Sequence, residues 1–155
     1  MDKEMEKAQD RGHMMGALVL GMTYGVWDVM EESATALTPT IGKMLLPMME
    51  DLLNMKAEGE TPADLLKVIG SMFTDRLDWG SGYEVTTTGK SVNLILKNGL
   101  ATDEIAGMIS QGMKFFSHPV LCAGVEALAR NGIKSRPSLS ADTVKRTQTI
   151  SFELL

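Results

Sequence analysis

The stretch Tyr83-Glu84-Val85-Thr86-Thr87-Thr88-Gly89-Lys90-Ser91-Val92-Asn93-Leu94-Ile95-Leu96-Lys97 changes the period of the chain. Alternating β-branched and polar residues on either side of Gly89-Lys90 predict a hairpin, with Tyr83, Val85, Thr87, Val92, Leu94 and Leu96 facing inward. Asn98-Gly99 closes it. Beyond it, Thr102-Asp103-Glu104 reads as a helix start with acids in the first turn, burying Ile105, Met108, Ile109 and Phe115 or Phe116. Ser117-His118-Pro119 opens another helix running to about Asn131, with Leu121, Val125 and Leu128 inward and Gly132 as its stop. Residues 133–142 read as a loop or a short strand broken by Pro137. The end, Thr143 to Leu155, alternates with Val144, Ile150, Phe152 and Leu154 on one side and reads as a final strand.

On the N-terminal side the period is helical. Residues 3–37 read as one long helix, polar at first and then apolar almost all round from Met14 to Met30. Such a helix is expected to be buried on most faces, in the centre or against another subunit. Gly12, Gly16, Gly21 and Gly25 punctuate it, each at a cost of about 1 kcal/mol relative to Ala. Their presence suggests close backbone approach or room for a ligand. Thr38-Pro39 is the expected break, followed by a helix over 40–57. Ile41, Met44, Leu45, Met48, Met49, Leu52 and Leu53 form its apolar stripe, and Pro47 is a kink or early boundary. Thr61-Pro62-Ala63-Asp64 caps a third helix, 62–77, that buries Leu65, Leu66, Ile69, Met72, Phe73 and Leu77. The fold class is α+β in a single domain over 1–155. A helical half (1–78) packs on a small antiparallel sheet with inserted helices (79–155).

Composition narrows the function. The 155 residues carry 20 Asp and Glu against 15 Lys and Arg, a net charge of −5. Residues 1–60 hold 11 acidic and 5 basic side chains, which argues against a phosphate-binding surface there. The only basic stretch, Arg130 to Arg146, has no interleaved aromatics and reads as a solvated edge, so no nucleic-acid partner is expected. Met14 to Trp27 is free of Asp, Glu, Lys and Arg but falls short of the roughly 20 residues that span a bilayer. No signal-peptide pattern follows the charged first residues, and Cys122 is the single cysteine; a cytoplasmic location is expected.

His118 and Cys122 stand one helical turn apart, a spacing that metal sites use, but no further ligands accompany them. The alternative is that His118 caps the helix and Cys122 is a small buried hydrophobe. An apolar setting would raise the thiol pKa, which disfavours a nucleophile. The paired acids Glu31-Glu32 and Glu50-Asp51 read as solvated charge, and no nucleotide-binding, hydrolase or metalloprotease motif is present. What stands out is methionine: 13 in all, against 8 aromatics (4 Phe, 2 Trp, 2 Tyr), with 10 of them in the first 55 residues. Met packs adaptably against varied apolar partners. Met15, Met22 and Met30 on the first helix with Met44, Met48 and Met49 on the second suggest a deformable apolar cavity, or a core or dimer seam filled with Met.

The segment Gly16-Ala17-Leu18-Val19-Leu20-Gly21-Met22-Thr23-Tyr24-Gly25 resembles the glycine-punctuated opening helix of the vinyl-reductase-like small-molecule-binding domains. These share their fold with the small subunits of the TRAPP vesicle-tethering complexes. The hairpin at 83–97, the helix carrying Cys122-Ala123-Gly124 with Leu128, and the ending Ile150-Ser151-Phe152-Glu153-Leu154 are similar as well. The group often carries further cysteines in its last two strands, where this chain has Ser138, Ser140, Thr147 and Thr149; no metal and no cofactor are expected here. The resemblance implies a homodimer formed through helices and an apolar cavity for a hydrophobic or acyl-like molecule. Met15, Leu18, Met22, Met48, Met49 and Cys122 are the candidate ligand-binding residues. The alternative is an interaction or scaffold subunit that dimerises through the Met-rich helices.

Overall fold

A computed structural model describes residues 2–155. Helix α1 (Lys3–Met30) begins at Asp2, whose carboxylate accepts the Glu4 N–H. A 3-10 turn (Glu31–Ala36) leads into α2 (Leu37–Leu53). Helix α3 (Pro62–Ser71) is held by a capping box between Thr61 and Asp64 and continues into a π turn (Met72–Arg76). Strands β1 (Gly82–Thr88) and β2 (Ser91–Lys97) follow, then α4 (Thr102–Ser110), α5 (Pro119–Arg130), β3 (Ser135–Asp142) and β4 (Thr147–Leu154). The sheet is antiparallel throughout, in the order β1-β2-β4-β3. The architecture is α+β.

The hairpin forms in the expected register. Tyr83 pairs with Leu96, Val85 with Leu94 and Thr87 with Val92. Val92, Leu94 and Leu96 are buried with Ile150 and Phe152 of β4; α3 and α5 pack on this face, and α2 packs on α5. Each fully buried aliphatic side chain contributes about 1.5–3 kcal/mol, so the layer accounts for much of the hydrophobic driving force. Two glycines let the layers close. A Cβ on Gly42 would collide with the Cys122 carbonyl, and one on Gly124 would collide with the Phe152 ring. Glu50, 4% exposed, ties α2 to α5 through Arg130 at 2.6 Å and accepts the Ala57 N–H at 3.1 Å. A smaller cluster of Ile105, Met108, Met113 and Phe115 receives Leu20 and Trp27 of α1.

Several boundaries differ from expectation. The first helix ends at Met30 rather than at 37, because Glu31 adopts a φ of 50°. Pro39 does not break the chain; it is the third residue of α2, where a backbone N–H has no intrahelical partner to lose. Pro47 lies within α2 on the solvent side, so the carbonyl it leaves unbonded meets water. The buried stripe of α2 is Gly42, Leu46, Met49 and Leu53, while Met44, Met48 and Leu52 are exposed. The helix stops at Asn54, in the left-handed conformation, rather than at 57. Leu77 is not buried.

At the far end, residues 135–142 form a complete edge strand, where Pro137 is tolerated. The Asp142 carboxylate accepts the N–H groups of Val144 and Lys145, so 143–146 are a turn and Val144 is 90% exposed. The last strand therefore starts at Thr147.

Candidate functional site

The candidate residues fall in two places. Met15, Leu18 and Met22 lie on the outward face of α1, and Met48 on the outward face of α2, each more than half exposed. Met49 and Cys122 are buried in the main core. The six therefore do not converge on one cavity. Around Met15, Leu18 and Met22 the helix is open: a Cβ on Gly21 or Gly25 would meet nothing within 4 Å. Along α1, Thr23 is the one residue that is fully buried, and its hydroxyl reaches Ser117. The expectation of a helix buried on most faces is not met within one chain.

A groove of about 900 Å³ opens elsewhere. It lies between the 3-10 turn, the segment linking α4 to α5, and the end of the sheet where β2 starts and β4 stops. Ile109, Met113, Phe115, Phe116, Leu121 and Leu139 supply its apolar wall, and Lys90, Lys114, Arg136 and Glu153 supply its charges. None of the wall residues was among the six candidates. Ile109, the two phenylalanines and Leu121 were legible as apolar helix or loop positions. Nothing in their spacing showed that they would border an opening.

Cys122 lies behind this wall. Its Sγ donates to the Phe116 carbonyl at 3.2 Å, and the Thr38 hydroxyl donates to the same oxygen at 2.7 Å. Burial pushes the thiol up to about 12. A nucleophile needs the thiolate, so this cysteine is a packed hydrophobe rather than a reactive centre.

His118 is fully buried. Its Nε2 is 2.8 Å from Gln148 Oε1. An amide oxygen only accepts, so the ring donates from Nε2; with Nδ1 left without an acceptor, full burial favours the neutral ring. Gln148 in turn donates to the Leu100 carbonyl and to the Thr102 hydroxyl, both at 2.9 Å. Burial drops the imidazole to about 4, against which the Gln148 bond works. The side chain makes no cap bond to α5; it links that helix to β4 instead. His118 and Cys122 thus point at different partners and do not act as a pair. His118 Nδ1 and Trp79 Nε1 find no hydrogen-bond partner, and both residues border a cavity of about 20 Å³ beneath α1.

No helix is long and apolar enough to cross a membrane among the described residues. No family profile matches the sequence, and no curated protein does. Among solved structures, the chain is similar to trafficking protein particle complex subunit 3 from Naegleria fowleri, crystallised covalently bound to palmitic acid. The TM-score is 0.69 at 11% identity, covering 95% of this chain and 96% of that one. At that identity the likeness is one of fold: the chain has a TRAPP-like fold.

Proposed function

We propose that the chain is a vinyl-reductase-like domain that holds a small hydrophobic, acyl-like molecule for sensing or carriage and works as a homodimer. The whole of residues 1–155 makes one unit in this reading. The observation that carries it is the groove of about 900 Å³ with its wall of Ile109, Met113, Phe115, Phe116, Leu121 and Leu139. Pockets that take small organic ligands span roughly 300–1,000 Å³ and are mostly apolar. The palmitic acid on the Naegleria subunit supports an acyl-like occupant. In this reading Cys122 backs the groove and Met49 packs in the core beside α5, while Met15, Leu18, Met22 and Met48 serve the dimer.

Native mass spectrometry of the purified chain, followed by organic extraction, tests it. A bound apolar molecule is expected, and an Ile109→Trp variant that fills the groove should lose it. Recovery of no such molecule, with no binding of an added fatty-acyl probe, contradicts the reading.

A second reading has its own observation. The exposed apolar residues of α1 and α2, with Gly21 and Gly25 open to solvent, suit a scaffold subunit whose business is protein contact. A dimer that binds no apolar molecule favours this reading over the first.

A further inference from the structure

We propose that the groove takes amphiphiles with an anionic head, the carboxylate held without a covalent bond at the Lys90–Arg136 end and the chain lying along Ile109, Met113, Phe115 and Phe116. This rests on the groove reading above and adds the class of ligand.

The charge at this site runs against that of the molecule. The chain carries −5, yet the charged side chains bordering the groove are three cations, Lys90, Lys114 and Arg136, and one anion, Glu153, a side-chain balance of +2. The sheet register brings two of the cations together. Ser91 pairs with Glu153, and Glu153 with Arg136, so Lys90, one residue before Ser91, lies at the same end of the sheet as Arg136. The Leu154 N–H donates to the Lys90 carbonyl at 2.8 Å and pins the hairpin turn to the end of β4.

The three cations are not equally free. Lys114 is committed to Glu32 at 2.8 Å, and Arg136 shares Glu153 at 3.3 Å. Lys90 has no carboxylate within ion-pair distance among the described residues, so an anion gains an unused ammonium and a partly used guanidinium. The apolar wall starts from the same opening. A polar end and an apolar end in one groove match a molecule built the same way.

The alternative anchor, a thioester on the single cysteine, has the wrong geometry here. Cys122 Sγ is buried and donates to the Phe116 carbonyl. A head held by charge needs no such bond.

The test uses the full chain with neutral aminoanthracene as the reporter, displaced by dodecanoate or by dodecanol. Dodecanoate is expected to displace it at about tenfold lower concentration, since only the acid can make the charge-assisted hydrogen bond. The preference should shrink in about 0.5 M salt, where the screening length is only a few ångströms. A Lys90→Glu, Arg136→Glu variant should lose about tenfold for dodecanoate while dodecanol stays within about two-fold. Both positions are exposed, and an unchanged melting temperature shows that the variant is folded. Equal binding of acid and alcohol, unaffected by the variant, overturns the anionic head and leaves the groove reading standing. Retention on phosphatidylserine vesicles without displacement by monomeric dodecanoate also overturns it. Failure of the reporter and both competitors to bind removes the groove reading and this one together.

Discussion

Helices α1 and α5 are both rich in apolar residues, yet they meet opposite fates. Of the 12 residues of α5, seven are buried: Val120, Leu121, Cys122, Ala123, Gly124, Ala127 and Leu128. Of the 28 residues of α1, only Thr23 is. Helix α5 is wedged between α2 and the sheet, with Gly42 and Gly124 allowing contact close enough to exclude any larger side chain. Helix α1 rests on the α4 cluster by Leu20 and Trp27 and turns Met14, Leu18 and Met22 outward. Apolar composition alone therefore does not say that a helix is buried by its own chain. In α1 the apolar face exceeds what the chain covers, and a contiguous exposed apolar face is uncommon on a monomer.

Substitutions at the two helices should have unequal costs. The largest effect is expected in α5: Leu128→Ala should cost about 3 kcal/mol, read by urea unfolding, because the cavity is left in a close-packed core. The comparable change in α1, Leu18→Ala, should cost less than about 0.5 kcal/mol in the dilute single chain. Similar losses at both sites would erase the contrast.

A comparable effect comes from acid at the first turn of α5. The folded His118 lies at about 4 against an ordinary 6.5, so between those values the unfolded chain binds the extra proton. By linkage, stability rises with pH across that window; it is complete above about 6.5 and is lost as pH falls toward 4. The shift corresponds to about 3 kcal/mol. Carboxylates titrate in the same range, so the check is the difference between the chain and a His118→Asn variant, which should show a shallower slope. Parallel curves would contradict the buried neutral imidazole.

Replacing the open glycines of α1 has an effect of two opposite signs. Gly21→Ala and Gly25→Ala should each stabilise the isolated helix by about 1 kcal/mol, since nothing in the chain stands where the new Cβ would go. If a second copy packs on that face, the same pair should weaken association. Dilution-dependent melting separates the two.

Much of the fold was legible because it follows from local rules. The hairpin register follows from alternation around Gly89-Lys90, and the Thr61–Asp64 capping box from its residue order. The break after α1 was not legible, since a positive φ at Glu31 has no marker in a glutamate. Strand β3 was obscured by Pro137, whose tolerance depends on the strand lying at an edge. Leu46, the most deeply buried residue of α2, was missed because Met44, Met48 and Leu52 fitted the same helical period. Methionine count located a face rather than a pocket. The groove is assembled from the α4–α5 segment, the 3-10 turn and the end of the sheet, three parts far apart in the chain that only the tertiary fold brings together.

The most direct measurement is the mass of the chain in solution by sedimentation equilibrium, beside a Leu18→Glu, Met22→Glu variant. A dimer is expected for the natural chain, and a monomer of unchanged melting temperature, measured at low concentration, for the variant. A natural chain that stays monomeric at every concentration, with its apolar α1 face open to water, would contradict it.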